Sequence, residues 1–309
     1  MGVATVDYLH GILLPDDTLL SELTDCTPGA NSNYLTGYAS GHDEPLFRSV
    51  SGQTPDASFT SCNIKTILDL IIAGGNNYGL DLSAGNTDLL YKRGQDLGVR
   101  YAAAAAQHAR LRAAQAFLYW NTISASHQQN ADIACRLVAA YDGTNVPLVP
   151  AGTIALSGTP AATEFYTLGP VKINGAWLTN EQDWSLSSGV TPEEAGAAGE
   201  IWNSYVGIKQ TDPVLTVNCL GNPWALEALT GTAIATGLLL YLRKKDADGH
   251  NVADATEEHI KFSASYGYVL PESTRGAQND PATTTLRIAL RPASSLVETL
   301  AIDTTAAIA

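Results

Sequence analysis

Residues 259–269, HIKFSASYGYV, alternate apolar and polar positions, with Ile260, Phe262, Ala264, Tyr266 and Tyr268 on one side and His259, Lys261, Ser263 and Ser265 on the other. A two-residue period is that of a half-buried strand. Residues 108–118, HARLRAAQAFL, place His, a basic residue, a large apolar residue and Ala at the same relative positions, 151 residues earlier. The rest of the chain follows suit. A strand over Ala57–Ser61 precedes Asn63–Ile72, where Ile64, Ile67, Leu68, Ile71 and Ile72 take helical spacing between an N-capping Asn63 and a terminating Gly74. Strands follow within LDLSAGNTDLLYKRG, over Arg110–Phe117 and over Asp132–Tyr141, separated by turn-rich segments.

The second half repeats this order. Val214–Val217 reads as a strand, Asn222-Pro223 as an N-cap with proline at the first helical position, and 224–229 as a short helix ending before Gly231. Strands are then expected over Gly237–Arg243, Ile260–Tyr268 and Thr284–Leu290. Asp56 and Asp212 lie 156 positions apart, Leu89 and Leu239 150, and Arg136 and Arg287 151. Along the ungapped run from His108 only His108, Ala113, Ala131 and Arg136 match outright, so the repeat rests on order more than on letters. The alanines of RYAAAAAQHARLRAAQAFLYW favour a helix, against which stands the shared face of Leu111, Ala113 and Phe117; a strand is expected over Arg110–Phe117.

Two domains are therefore expected, 1–155 and 156–309, joined by the Pro-, Gly-, Ser- and Thr-rich segment 146–164. Each carries a long connection, one from Asp25 to Asp56 and one from Ser187 to Asp212. Loops of this length in compact domains are functional or mobile. The apolar residues in these two mark them as docking elements.

Composition adds a class. A chain of 309 residues that is 45% hydrophobic and 16% charged, with 27 Gly and 14 Pro, is a turn-rich, β-rich globular protein. Its 17 basic and 31 acidic residues give a net charge of −14, shared between both halves. That excludes a protein that grips a nucleic-acid backbone, whose affinity comes from Lys and Arg; it is compatible with DNA moving past. Cys26, Cys62, Cys135 and Cys219 stand singly, as reduced thiols rather than zinc ligands or a disulfide framework. The N-terminal MGVATVDYLHG lacks the basic and apolar regions of a secretory signal, and the apolar run Ala233–Leu242 is too short to span a bilayer, so neither secretion nor membrane insertion is expected.

Candidate chemistry is sparse. KKDADGHN suggests calcium through Asp246 and Asp248, but the EF-hand glycine and glutamate do not align, and a hairpin turn at Asp248-Gly249 is the better reading. His42, Asp43 and Glu44 offer metal or acid–base chemistry with no second ligand cluster, and read as a solvated or interfacial patch. Nucleophile-elbow, P-loop, dinucleotide and H-E-x-x-H motifs are all missing, so no catalytic residue, metal or cofactor is expected.

Three stretches of the second half resemble the tail tube proteins, or major tail proteins, of tailed bacteriophages. VKINGAWLTNEQDWSLSSGV (171–190) is similar to their opening hairpin, and DPVLTVNCL with NPWALEAL to their strand and flanking helix. HIKFSASYGYVLPESTRGAQNDPATTTLRIALRP is similar to their closing strands, and GILLPDDTLLSELTDC through ACRLVAAYDG resembles a second copy. The resemblance implies a mainly β fold of two tandem tail-tube-like β-sandwich or half-barrel domains, each with a short flanking α-helix. It implies a structural virion protein, not an enzyme, whose trimers stack as pseudo-six-fold rings into an acidic conduit for DNA. The implied partners are further copies, the tape measure, terminator and distal tail or baseplate proteins, and double-stranded DNA passing without specific binding. The implied location is the virion tail, assembled in the host bacterial cytoplasm. Tyr34, Tyr38, Leu46 and Phe47 in one long connection, and Glu193, Ile201, Trp202 and Tyr205 in the other, are the expected contacts between subunits or rings. The alternative is a tandem β-sandwich adhesin holding glycan or receptor through Trp177, Trp184 and Trp202; a secreted-type carbohydrate hydrolase is disfavoured by the missing leader.

Overall fold

The computed structural model describes residues 7–41, 43–95, 100–102, 107–221, 231–277, 280–295 and 297–309. The fold is mainly β, with one helix among the described residues. The first half runs β1 (Asp7–Leu13), β2 (Thr18–Leu20), β3 (Leu23–Gly29), β4 (Ser32–Gly37), β5 (Phe47–Gln53) and β6 (Asp56–Ser61). Then come α1 (Ile64–Ala73), β7 (Gly79–Asp81), β8 (Thr87–Gln95), β9 (Arg100–Tyr101), β10 (His108–Ala113), β11 (Gln115–Ser126), β12 (Asp132–Ala140), β13 (Val149–Ile154) and β14 (Thr159–Pro160). The second half runs β15 (Tyr166–Ile173), β16 (Ala176–Trp177), β17 (Glu181–Ser187), β18 (Thr191–Ala195), β19 (Tyr205–Gln210) and β20 (Val214–Leu220). It continues through β21 (Thr232–Ile234), β22 (Leu238–Lys244), β23 (His259–Ala264), β24 (Tyr266–Ala277), β25 (Asp280–Arg291) and β26 (Ala301–Ala306).

A ten-stranded central sheet, in the order β21-β24-β25-β20-β17-β11-β12-β6-β3 with β7 beside β11, spans the molecule. A seven-stranded sheet built on β13-β10-β8-β1-β2-β14 and a five-stranded sheet, β16-β15-β22-β23-β26, supply the facing layers. Leu20 and Leu89 from the first outer sheet, Leu240 and Phe262 from the second, and Phe59, Trp120, Cys135, Val217 and Ile288 from the central sheet belong to one continuous apolar core. Helix α1 adds Ile64, Ile67, Leu68 and Ile71, the spacing its sequence shows. It lies against β26 of the second half, where Thr304 Oγ1 donates to Asp69 Oδ1 at 2.5 Å.

The pairings run in the same series in both halves. β1 pairs β2 and β8, β8 pairs β10, β10 pairs β13, β3 pairs β6, β6 pairs β12, and β12 pairs β11, which takes β7. The second half pairs β15 with β16 and β22, β22 with β23, β23 with β26, β17 with β20, β20 with β25, and β25 with β24, which takes β21. Register shifts recur too: between Trp120 and Thr122 and between Pro271 and Ser273, between Leu23 and Asp25 and between Glu181 and Asp183, and between His108 and Arg110 and between His259 and Lys261. Bulges bend and twist a strand at a chosen place, and these fall at like places in the two series of pairings. Corresponding places lie 158 residues apart through β3–β6, 151 from β8 to β12, and 152 between β13 and β26. Counted along the pairings, Arg136 falls at the place of Arg287, Leu89 at that of Leu240 and Asp56 at that of Val214.

The two histidines of the matching strands carry the same bond. His108 and His259 are fully buried, and their Nδ1 atoms accept the backbone N–H of Arg93 and Lys244, each at 3.1 Å. In His259 the proton is then on Nε2, which donates to the carbonyl of Ala253 at 3.1 Å. Replacing either histidine with leucine strands a buried N–H, at about 1–3 kcal/mol each, and the two costs should add because the sites share no partner. Denaturant titration checks this; a cost at one site only would show that the two ladders are not closed alike.

Several expectations need correction. Arg110–Phe117 and Ile260–Tyr268 are not single strands: the chain breaks at Ala114 and Ser265, and passes there from an outer sheet into the central one. An unbroken alternation cannot reveal a corner at which both flanking strands stay half-buried. The connection from Asp25 contains β3 and the β4–β5 hairpin, and that from Ser187 the β18–β19 hairpin. The segment 146–164 is largely structure of the first half: β13 pairs β10, β14 runs parallel to β2, and Leu156 packs on Leu13, Leu19 and Leu90. The side chain of Asn63 makes no cap bond, and Gly75 (φ +80°) rather than Gly74 takes the left-handed position after α1. The helix expected over 224–229, with its cap Asn222, lies outside the described residues.

Candidate functional site

The two halves meet along one ladder. β7 covers β11 only at Phe117–Tyr119, and β17 pairs the remainder antiparallel, from Thr122↔Ser187 to Ser126↔Asp183. Bonds from Ser188 N to Asn121 O (2.9 Å) and from His127 N to Gln182 O (2.7 Å) extend it at both ends. Antiparallel ladders alternate bonded and unbonded pairs, so Trp184 and Leu186 aim their backbone groups at β11. Ser188 Oγ also donates to Trp120 O at 2.6 Å.

The β18–β19 hairpin, here the second arm, crosses this junction to cover the first half. β19 lies against β11 and β12. Gln53 N donates to Ile201 O at 2.6 Å, Trp202 Nε1 to Gln53 Oε1 at 2.9 Å, and Asn203 Nδ2 to Thr54 Oγ1 at 3.1 Å. The Trp202 ring meets Tyr141 with centroids 5.2 Å apart. Beneath this arm Tyr119 and Val138, on the side of the sheet away from the core, are buried. Burial, only partly offset by Arg136, pushes the Tyr119 hydroxyl up. A third contact runs from the first half outward: Asn77 Nδ2 donates to Leu300 O at 2.8 Å and also reaches Glu298.

Among the described residues, places like the receiving sides of these contacts stand open elsewhere in the fold. β21 covers β24 only at Gly267–Val269, so Ser273–Ala277 have no second neighbouring strand among the described residues. At the opposite end of the sheet β3 pairs β6 alone among the described residues. Matching Trp184, Leu186 and Ser188, its outward backbone groups belong to Cys26, Pro28 and Ala30, of which Pro28 has no N–H to donate. A proline facing outward is a usual guard on an edge that must not pair indiscriminately. Burial, then Asp25, pushes the Cys26 thiol up to about 11, which keeps it protonated and unreactive. Beside this edge Val146–Leu148, at the place of Glu298–Leu300 that Asn77 reaches, line an open groove of about 290 Å3 with Pro28, Leu111 and Trp202. Tyr268 and Leu270, matching Phe117 and Tyr119, are 43% and 44% exposed.

The β4–β5 hairpin is the first arm, and among the described residues it has no such seat. It resembles the second arm, with the same spacing across the tip (Gly37↔Phe47 and Ala195↔Tyr205) and the same bulge, between Asn33 and Tyr34 in one and between Thr191 and Pro192 in the other. Both leave the sheet at a left-handed residue, Asn31 (φ 41°) and Gly189 (φ 59°), and a Cβ at Gly189 would stand 2.1 Å from the Asp212 carbonyl. Tyr34, Tyr38, Leu46 and Phe47 of the first arm are all more than half exposed. Of the second-arm residues, Ile201 and Trp202 dock on Gln53, whereas Glu193 and Tyr205 stay exposed. Sequence reasoning therefore singled out both arms. It missed the two free edges, Tyr268, Leu270 and the receiving residues Gln53, Thr54 and Tyr141, because an edge is defined by its missing neighbour and not by its own composition.

Other candidates fall in ordinary places. Trp184 is core and Trp202 docked, which leaves Trp177, under Lys172 at 4.7 Å, as the exposed member of that trio. Asp246, Asp248 and His250 bring their ligand atoms within 4.8 Å of one another, but Asp246 Oδ1 already accepts the N–H groups of Asp248 and His250 in the expected turn. Asp43 and Glu44 lie exposed at the tip of the first arm; His42 is outside the described residues. All four cysteines are free thiols.

No protein-family model and no curated protein matches the chain. Among the described residues no helix is long and apolar enough to cross a membrane.

Proposed function

We propose that the chain is a self-assembling structural protein made of two copies of one tail-tube-like domain, and that it closes with further copies into rings that stack as a phage tail tube. The observation that carries this reading is the internal β11–β17 ladder, because the same chain presents the matching pair of edges, β24 and β3, at its two ends. A head-to-tail junction of this kind is heterologous: repeated with a closing rotation it gives a ring, and without closure a helix. Closing the ring also removes the two edges that would otherwise invite aggregation. A chain with two domains makes a pseudo-six-fold ring from three copies.

In such a ring the side of the central sheet away from the core forms the wall of the channel. That side is rich in hydroxyl and amide groups, among them Ser58, Thr60, Thr122, Ser124, Ser185, Thr216 and Asn218. Asn218 links Asp183 and Thr285 by hydrogen bonds of 2.6 Å each. No lysine occurs in the strands β3, β6, β11, β12, β17, β20, β24 and β25. Arg136 is tied to Asp56 at 2.5 Å, and the same side also carries Asp25, Asp132 and Asp183 and, as cations, Arg275 and Arg287. A wall with few cations gives DNA phosphates little to hold, so a genome slides through it, past tape measure and terminator proteins at the ends of the tail. Negative-stain electron microscopy of the purified chain tests the reading: rings or tubes with a central channel are expected, and a chain that stays monomeric at the highest soluble concentration refutes it.

A further inference from the structure

Among the described residues the first arm is a hairpin whose Tyr34, Tyr38, Leu46 and Phe47 are more than half exposed, and the second half has a sheet face on which Tyr268 and Leu270 are exposed. We infer that the first arm clasps the second half of a neighbouring copy, lying over Tyr268 and Leu270 with its tip against Thr211. The inference rests on the ring reading above and names the surfaces that lock it.

The internal junction supplies the geometry. The second arm covers the first half so that Tyr119 and Val138 are buried, while their matches Leu270 and Ala289 are exposed. The side of the second arm turned to the sheet carries Pro192, Glu194, Val206 and Ile208, all half-buried, whereas Thr191, Glu193 and Ala195 of β18 are exposed. At the matching positions the first arm carries Tyr34, Thr36, Arg48 and Val50, paired Tyr34↔Val50 and Thr36↔Arg48 and so on one face. Tyr34 is 67% exposed, and with Leu35, Tyr38, Leu46 and Phe47 it gathers five exposed large apolar side chains on one hairpin, the kind of concentration that marks a contact surface. The pair Tyr34 and Val50 thus meets an exposed apolar patch, with Thr36 and Arg48 beside it, in a register that the two bulges set. The fit is to a second copy of this chain and not to an unrelated partner, because the covered half and the uncovered half share one set of pairings.

The tip makes the inference exact enough to test. Gln53 and Trp202 form a parallel bridge in the internal clasp, and their matches are Thr211 and Glu44. Bridged residues have Cα separations suited to a disulfide. A variant with Glu44→Cys and Thr211→Cys, oxidised under assembly conditions, should link chain to chain at least about ten-fold more than either single variant. Leu270→Asp, a surface change that leaves the monomer folded, should raise the concentration needed for rings roughly ten-fold or more. Rings that form without the 44–211 link and tolerate Leu270→Asp overturn the clasp and leave the ring reading standing. A chain in which Thr27→Cys and Arg275→Cys also fail to join across the seam overturns both.

Discussion

Replacing Thr274 with proline is expected to abolish ring formation while leaving the monomer folded. Thr274 matches Ile123, the residue of β11 paired with Leu186 of β17. The flanking bond Ser188 N to Asn121 O at 2.9 Å places Ile123 among the residues whose N–H points across the junction. Thr274 therefore turns its N–H outward from the β24 edge, away from its partner Thr284 on β25. The residue it would meet in the next copy, by the match to Leu186, is Pro28, which offers a carbonyl and no N–H. The whole bonded pair thus depends on the Thr274 N–H, and Thr274→Pro sets two prolines face to face. The loss of about 2 kcal/mol per seam amounts to roughly thirty-fold in affinity, repeated at every seam of the ring. Because the β25 pairing keeps its bonds, the midpoint of thermal unfolding of the monomer should move little. Analytical ultracentrifugation of wild type and variant at matched concentrations decides it: rings of the variant at wild-type concentration would mean that β24 is not the assembling edge.

Trp120→Ala should have the largest effect on stability. The ring is fully buried, stacks on Tyr78 with centroids 6.1 Å apart, and donates from Nε1 to Asn77 O at 2.9 Å. It sits at the bulge where β11 passes from β7 to β17, and its carbonyl accepts Ser188 Oγ. Truncation removes core volume, leaves the Asn77 carbonyl unpaired and loosens the turn that reaches Leu300. A buried Trp→Ala change costs about 3–5 kcal/mol, which for a chain of this size corresponds to roughly ten degrees of melting temperature. Differential scanning calorimetry checks it. A change under about 1 kcal/mol would show that the core across the junction is loosely packed, against an internal ladder rigid enough to serve as the pattern for the seam.

What the sequence disclosed depends on how local the cause was. α1 was legible because Ile64, Ile67, Leu68 and Ile71 meet the core at helical spacing, and β12, β20 and β25 because their alternation meets a two-faced sheet. β3 was not: LTDCTPG carries Pro28 and Gly29 and no alternation, and it is a strand only because β6 holds it. The arms were legible as apolar residues out of place in polar connections, but not as hairpins, since what starts them is a left-handed backbone at Asn31 and Gly189. The correspondence of the halves was visible in His108 and His259, where one buried hydrogen bond demands one residue type. It was blurred at Asp56 and Asp212, where no shared bond keeps the letters in step.

The account stands on one claim, that β24 of one copy pairs β3 of the next as β11 pairs β17 within the chain. Ser124 and Ser185 are an unbonded pair of the internal ladder, whose side chains approach closely, and their matches are Arg275 and Thr27. Oxidising a chain that carries Thr27→Cys and Arg275→Cys, beside a control with Ser124→Cys and Ser185→Cys, reads the seam directly on a non-reducing gel. The control should close within single chains, and the test variant should give linked chains ending in a closed trimer. Single chains only from the test variant, with the control fully closed, would contradict the account.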